Sequence, residues 1–431
     1  MRVFADLHIH SRYSRATSPR MNLKEIAYYA QLKGLNLVGS GDFTHPKWFN
    51  QIKEILIADP NTNLYKVNGA IENSVQFMLT TEVCTLFNFK NSIKKIHHVI
   101  FAPNLEVITQ INSALEKYGN LNSDGRPILK ISCVDLVEKI MDVSKDNLIF
   151  PAHIWTPWFG ILGAFSGFNN IEDCYQDMIK YIYAIESGLS SDPPMNWRLS
   201  NLDKFTLLSN SDCHSFWPWR IGREANVFDL EKLSYREIIG AIKDKPAQKL
   251  KFTIETDPGY GKYHWTGHRN CKISLSPKQA KRFNNICPVC RKKLTKGVEQ
   301  RVDELADQPI NRKPKNAPSF LRLLPLSNII TEVLNVGSPS TQAVWKIYSE
   351  LIRNFHNEYF VLIEAPRDDL LKIVDFPIAN AILKVREGDF EVIPGFDGVY
   401  GQLVLDTDTK KIKLPRSKVS QTNIHDFNKI E

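Results

Sequence analysis

No apolar run in the sequence approaches the length needed to cross a bilayer, so a membrane-spanning helix is not expected. No internal repeat is visible, which excludes a solenoid built of stacked units. Cysteine is sparse: there are seven in 431 residues, an odd number. Cys84, Cys133, Cys174 and Cys213 are scattered and read as small buried hydrophobes, so a disulfide framework is excluded. Neither sign of charge dominates. Fifty-five Lys and Arg against 47 Asp and Glu leave +8, which suits a polyanionic partner without requiring one. The opening residues MRVFADLHIH lack the layout of a signal peptide and already carry His8 and His10. The expectation is a cytoplasmic monomer with no membrane contact.

What is present is an ordinary globular composition, 43% hydrophobic and 10% aromatic, in a chain long enough for two or three domains. Short apolar runs that read as buried strands recur at Val3–Ile9, Leu35–Ser40, Val75–Thr80, Val99–Ala102, Leu148–Ala152, Tyr181–Ile185 and Phe205–Ser209. Helical periodicity lies between several of them, at Leu23–Lys33, Glu106–Tyr118, Cys133–Val143 and Asp173–Lys180. Strands alternating with helices predict an α/β fold with a parallel sheet, and seven strands suit a closed barrel. The pattern breaks near Glu255. The expected division is a catalytic barrel over 1–254, a zinc-binding module over 255–310, a helical domain over 311–400, and a β-like piece with a polar tail over 401–431. Within it, Gln308–Pro318 reads as a linker, and Leu321–Asn335 and Ser340–Asn354 read as helices.

The chemistry-bearing residues recur at strand ends. Alternation on the first strand would put Asp6, His8 and His10 on one face, and two imidazoles at i and i+2 can hold a divalent metal. The second strand runs into Asp42 and His45, the third into Glu82, and the fourth starts with His97 and His98, of which only one can face the site. The fifth runs into His153, the sixth into Glu186, and the last into Asp212 and His214. The C-terminal strand ends of such barrels converge on one mouth. This set predicts two or three divalent metals (Zn2+, Mg2+ or Mn2+) bridged by carboxylates, with Glu82, Asp212 and His214 closest to the reaction.

A second constellation pairs His268-x2-Cys271 with Cys287-x2-Cys290, the layout of a structural zinc site; His264 is the alternative fourth ligand. A base-deaminase reading is excluded, because H-x-E is absent and Pro288 lies inside the cysteine pair. Aromatic and basic residues follow the metal-bearing strands: Trp155, Trp197, Arg198, Trp217, Arg220 and Arg223. With the turn Ser190-Ser191-Asp192-Pro193-Pro194-Met195 they are expected to enclose a nucleotide, Ser190, Ser191 and Met195 shaping its pocket.

The stretches DLHIHSRYSRATS, GSGDFTHPKW, IESGLSSDPPMNWRLSNLD, SNSDCHS, IGREANVF, GKYH and PGFDGVYG resemble the polymerase-and-histidinol-phosphatase (PHP) superfamily and, within it, the endonuclease Q family. The resemblance implies a distorted (β/α)7 barrel and a DNA-repair endonuclease that cuts on the 5′ side of uracil, hypoxanthine or an abasic site. It places His8, His10, Glu82, His97, His153, Asp212 and His214 on PHP metal-ligand positions and Asp42 on an acidic one. Ala16 and Thr17 stand where many PHP enzymes carry a further His or Asp, and Phe43 stands where many carry His. A phosphomonoesterase on the same barrel and a non-catalytic nucleic-acid or clamp-binding scaffold are the alternatives. The tail residues Gln421, Ile424 and Phe427 resemble a sliding-clamp-binding peptide, with Asn428 where a second aromatic usually stands.

Overall fold

The computed structural model describes residues 1–71, 73–165 and 167–404. All seven expected strands form: Arg2–Asp6, Leu37–Gly39, Gln76–Phe89, Ser92–Ala102, Leu148–Pro151, Ala184–Glu186 and Thr206–Leu208. Two helices match the expected bounds, Leu23–Lys33 and Cys133–Val143. Asn22 starts the first by accepting from the amides of Lys24 and Glu25, and Gly34 ends it at φ 100°, a left-handed position that a side chain would strain.

The chain order of neighbours is parallel for Arg2–Asp6, Leu37–Gly39 and Gln76–Phe89. The next step corrects the all-parallel expectation. Gln76–Phe89 and Ser92–Ala102 form an eleven-pair antiparallel hairpin, from Leu79↔Ala102 to Phe89↔Ser92, and Leu148–Pro151 joins it antiparallel as well. Lys90 and Asn91, at φ 44° and 60°, make the two-residue turn, which suits the twist of a hairpin. Beyond this, Ile154 N donates to Glu186 O at 3.0 Å, Ala184–Glu186 pairs parallel with Thr206–Leu208, and Ile9 bridges Cys213 in parallel.

Alternate residues of these strands feed two cores. One holds Ala5, Leu7, Leu37, Met78, Val99, Phe101, Phe150, Ala184 and Leu208. The other holds their neighbours Val38, Phe77, Ile100, Ile149 and Ile185, packed with Ile26, Ala30, Ile108, Ile111, Leu136 and Ile140 from the helices. This period of two is what fixes register, since a slip of one residue would exchange the cores.

Two further strands, Ala225–Asp229 and Leu250–Glu255, extend the sheet antiparallel from Arg2–Asp6. The chain then leaves, builds a small hairpin of Thr266–His268 with Ile273–Leu275 and helices Pro277–Arg282 and Val298–Leu305, and returns as Ser319–Arg322, parallel to Leu250–Glu255. The start of the expected Leu321–Asn335 helix is thus a strand, and the helix is Leu326–Val333. Helices Gln342–Phe355, Glu358–Ile363, Arg367–Ile373 and Phe376–Arg386 follow; Thr341 caps the first. They are clasped to the sheet side by the buried ion pair Lys33 Nζ–Glu358 Oε1 (2.6 Å) and by Tyr359, whose hydroxyl donates to Gly222 O at 2.6 Å. The β-like piece is seen as Gln402–Val404 pairing with Glu391–Ile393; the tail with Gln421, Ile424 and Phe427 lies outside the described residues.

Glu255, where the chain leaves the sheet, is a buried carboxyl near Asp192. Burial first, then the Asp192 charge, push it up to about 8, against the hydrogen bond from Thr253. The folded state therefore keeps a proton that the unfolded chain loses near 4.5, and stability falls as pH rises between about 4.5 and about 8. Glu255→Gln is expected to raise the melting temperature at pH 8.5 and to leave it unchanged at pH 5; equal shifts at both pH values in a thermal-melt series would show the carboxyl to be ionised throughout.

Candidate metal centre

Two groups of metal-ligating atoms converge, and Glu82 and His97 enter them from within Gln76–Phe89 and Ser92–Ala102, not from the strand ends expected. His8, His10, Glu82 and Asp212 form one, Glu82, His97 and His153 the other, and within each group the atoms lie inside 4.8 Å of one another. Glu82 belongs to both. Its Oε1 lies 2.7 Å from His97 Nδ1 and 3.0 Å from His153 Nε2, while Oε2 lies 3.2 Å from His10 Nε2 and 3.6 Å from His8 Nε2. Asp212 Oδ1 lies 3.0 Å from His10 Nε2 and 3.7 Å from His8 Nε2.

The imidazoles are aimed from behind. His8 Nδ1 sits 3.0 Å from both Glu186 oxygens, and Glu186 also accepts from His153 N and Asn210 Nδ2, each at 2.8 Å. With Nδ1 so occupied, the Nε2 atom faces Glu82 and Asp212 and has no hydrogen-bond partner although buried. His10 Nδ1 sits 3.0 Å from Asp42 Oδ1, whose other oxygen accepts from Ser11 N at 2.6 Å and Ser14 Oγ at 2.8 Å. A carboxylate behind a ligating histidine fixes tautomer and ring orientation. An orphaned buried nitrogen, His8 Nε2, facing the carboxylates of Glu82 and Asp212 is a donor that a divalent cation fits.

The electrostatics agree. Burial lowers the affinity of His8 and His10 for protons, but Glu186 and Glu82 around the first, and Asp42, Asp212 and Glu82 around the second, hold both well above the usual imidazole range. Burial raises Glu82 and Asp212, yet His97, Arg126, His10 and His153 around the first, and His10 and His8 around the second, hold both well below the usual carboxylate range. His97 is pushed down to about 3, chiefly by burial, and His214 to about 4 by burial and the neighbouring His10. Asp42, His153 and Asp212 have φ of 45°, 28° and 46°, conformations costing on the order of 1–3 kcal/mol each for non-glycine residues and typical of functional sites.

Several expectations change. The first strand ends at Asp6, which belongs to neither group: its oxygens accept from Ser211 N (3.0 Å) and Gly222 N (2.9 Å). Asp42 and Glu186 stand behind His10 and His8, because the neighbouring amides and hydroxyls have already taken their oxygens. His45 is stacked on Tyr13 (4.4 Å between centroids) and lies in neither group. His214 stacks on His10 at 4.5 Å, with Nε2 3.7 Å from Asp212 and Nδ1 2.8 Å from the Thr17 hydroxyl. Of the adjacent pair, His97 faces Glu82. His98 faces the other way, edge-on to Tyr175, as alternation along the strand requires.

Around the mouth, Trp155 and Trp197 are buried, 1% and 6% exposed, and offer no face to a ligand. Trp155 Nε1 instead donates to Asn196, which with Ser191 braces the turn. Arg198 Nη1 is paired with Asp303 at 2.7 Å, and Arg223 donates through Nε and Nη2 to Ser211 O at 3.3 and 2.9 Å. Ser190, Met195, Trp217 and Arg220 remain partly exposed. One residue at the mouth carried no sequence signal. Arg126, on the turn before Pro127, places Nη1 3.0 Å from Glu82 Oε2.

In the module, His268, Cys271, Cys287 and Cys290 converge, with His268 Nδ1 3.3 Å from Cys290 Sγ. His264 is elsewhere, 3.5 Å from Glu299. Burial raises the Cys287 thiol, but the amides of Cys290 and Val289 and the His268 ring outweigh it and bring it down to about 6, favouring the thiolate that zinc takes.

Among the described residues no helix is long and apolar enough to cross a membrane. Residues 325–389 match the family described as the MJ0043 C-terminal domain. An uncharacterized protein of Methanocaldococcus jannaschii is 35% identical over 254 residues, 58% of this chain; the chain spans 31% of that relative's length. The crystal structure of the lesion-specific endonuclease PfuEndoQ from Pyrococcus furiosus is matched at 34% identity and a TM-score of 0.84, over 100% of both chains. Endonuclease Q in complex with a 27-mer duplex carrying an abasic lesion at the active site is matched at 34% identity and a TM-score of 0.83, over 96% of this chain and 99% of that one. With likeness of this degree running from end to end, the chain belongs to the endonuclease Q family.

Proposed function

We propose that this protein is a metal-dependent DNA-repair endonuclease that hydrolyses the phosphodiester on the 5′ side of a damaged nucleotide such as uracil, hypoxanthine or an abasic site. The observation that carries the reading is the sharing of Glu82 between two donor groups, in a chain matched throughout by a lesion endonuclease. We read the seven hydrogen-bonded strands as the distorted (β/α)7 barrel of PHP enzymes over 1–254, followed by a zinc module over 255–310, a helical domain over 311–400 and the terminal piece over 401–431.

His8, His10, Glu82 and Asp212 would hold one divalent metal and Glu82, His97 and His153 a second, with His214 at the rim. Divalent metals held there would make a bound water markedly more acidic and neutralise charge on phosphate oxygens. The protein's part is geometric and electrostatic. Glu186 and Asp42 keep the rings aimed, Asp212 and Glu82 keep the mouth anionic, and neutral His214 presents a lone pair at neutral pH. Water oxygen bonds to phosphorus as the bond to the 3′ oxygen breaks, leaving a 3′-hydroxyl and a 5′-phosphate on the damaged nucleotide. A weakly paired base is extruded at lower cost, by a few kcal/mol on the order of one lost stack. Ser190 and Met195 would line its pocket, with Trp217 and Arg220 along the strand.

End-labelled duplexes carrying uracil, hypoxanthine, an abasic site or no lesion test this directly. Lesion-dependent nicks with 3′-hydroxyl ends support the reading. Hydrolysis of small phosphomonoesters alone would favour a phosphatase, and tight lesion binding without cleavage in any metal would favour a scaffold. The tail supplies a further expectation: a chain ending at Ser420 should lose affinity for a sliding clamp, measured calorimetrically, while cutting short duplexes as before. Undiminished clamp binding would remove Gln421, Ile424 and Phe427 from the interface.

A further inference from the structure

Arg126 lies in no recognised motif, yet the fold sets it at the one place where the two donor groups meet. Its Nη1 is 3.0 Å from Glu82 Oε2, the oxygen that also faces His8 and His10. Glu82 and His10 are fully buried, whereas the Arg126 side chain is 22% exposed, so the guanidinium approaches the shared carboxylate from the open side.

The backbone beneath it is fixed. Gly125 N donates to Tyr13 O at 3.0 Å, Thr44 Oγ1 donates to Gly125 O at 3.3 Å, Arg126 N donates to Asp124 Oδ1 at 3.0 Å, and Cys84 N donates to Pro127 O at 2.9 Å. A Cβ on Gly125 would fall 2.2 Å from Asp42 Oδ2 and 2.3 Å from Ser14 Oγ, so only glycine lets the turn lie this close to the carboxylate behind His10. The side chain is therefore presented by a rigid turn, not by a loose loop.

A purely structural counter-ion is a poor account of this arrangement. Glu82 already has imidazole nitrogens of His8, His10, His97 and His153 within 3.6 Å. Among the described residues the guanidinium makes one hydrogen bond, to Glu82, which leaves most of its five N–H donors unused. The charge is felt across the whole mouth: Arg126 interacts electrostatically with Asp212, His97 and His214 as well as Glu82. A planar fork with spare donors, rigidly held beside a metal-binding carboxylate and open on one side, matches the paired non-bridging oxygens of a phosphate.

We propose that Arg126 binds the scissile phosphate, donating to its non-bridging oxygens while Nη1 stays on Glu82. The proposal rests on the phosphodiesterase reading above and assigns the residue that opposes the charge developing on phosphorus. Arg126→Ala and Arg126→Lys test it against the parent in three measurements: metal per chain by elemental analysis, single-turnover nicking of an abasic-site duplex, and calorimetric titration with inorganic phosphate. Metal content is expected to be unchanged in both variants. Nicking should fall roughly 10²–10³-fold in the alanine variant, with lysine a poor substitute and added ethylguanidinium restoring part of the alanine variant's rate alone. Phosphate binding should weaken in parallel. Loss of metal in step with loss of rate, or full activity with lysine, would make Arg126 a support for Glu82 and overturn the proposal. A parent that binds phosphate through Arg126 but nicks no duplex would uphold the proposal and refute the endonuclease reading.

Discussion

Asp212→Asn is expected to cut nicking at least a hundredfold, on the order of one lost transition-state contact, while leaving duplex affinity near the parental value. The substitution is nearly isosteric, and asparagine is among the few residues at ease at φ 46°, so the turn that carries position 212 keeps its shape. What disappears is the charge facing His10 Nε2 at 3.0 Å and His8 Nε2 at 3.7 Å. A metal held in that cage would lose one of its two carboxylates, and the rate should fall by roughly 10²–10³-fold or more. Affinity for duplex comes mainly from phosphate contacts along the surface and is largely retained. His8→Ala should lose cleavage to the same degree, but it also strips Glu186 of a buried partner, so its melting temperature drops as well. Single-turnover rates at a low fixed metal concentration, with fluorescence anisotropy for binding, decide the matter. Near-parental nicking by either variant would remove these residues from the metal centre.

The second large effect concerns the module. Cys287→Ser/Cys290→Ser should carry one zinc fewer per chain and unfold the 264–302 region while the barrel persists. Apolar burial there is slight, with Pro277, Ala280, Cys287, Leu294, Val298 and Val302 its buried members. Zinc supplies about 10–16 kcal/mol to the folding of comparable small sites, more than such a core can replace. Hydrogen exchange is the discriminating measurement: amides of Thr266–His268 and Ile273–Leu275 should lose protection, and those of Gln76–Phe89 should keep it. Unchanged zinc content in the double variant would rule the site out.

How much of this was legible beforehand depended on whether the signal was local. Strand alternation is local, and Leu37/Val38, Ile100/Phe101 and Ile149/Phe150 divide between the two cores as period two demands. The antiparallel hairpin was missed because its turn, Lys90-Asn91, lacks the glycine that usually marks one, and because Glu82 and His97, which lie within its strands, imitate separate strand termini. Ligand residue types were readable, but whether each faces a metal or braces one that does was not. Asp42 and Glu186 differ from Glu82 only in which amides and hydroxyls surround them, and those partners come from Ser11, Ser14 and Asn210 across the fold. Trp155 and Trp197 looked like a stacking surface and are interior supports, since aromatic content says nothing of which face is outward. Arg126 had no pattern at all; only the closure of its turn onto Asp42 and Tyr13 brings it to the mouth.

The divided allegiance of Glu82 has a thermodynamic consequence under the proposed reading. One carboxylate serving two cages cannot be optimised for one cation without altering its offer to the other, so uptake of the two metals is a single linked equilibrium. A cation on the His97–His153 side would draw on the same carboxylate charge that faces His8 and His10. Because linkage is reciprocal, whichever sign the coupling takes, each metal changes the affinity of the other by the same factor. Two cations loaded in either order must then reach the same total binding free energy through unequal steps.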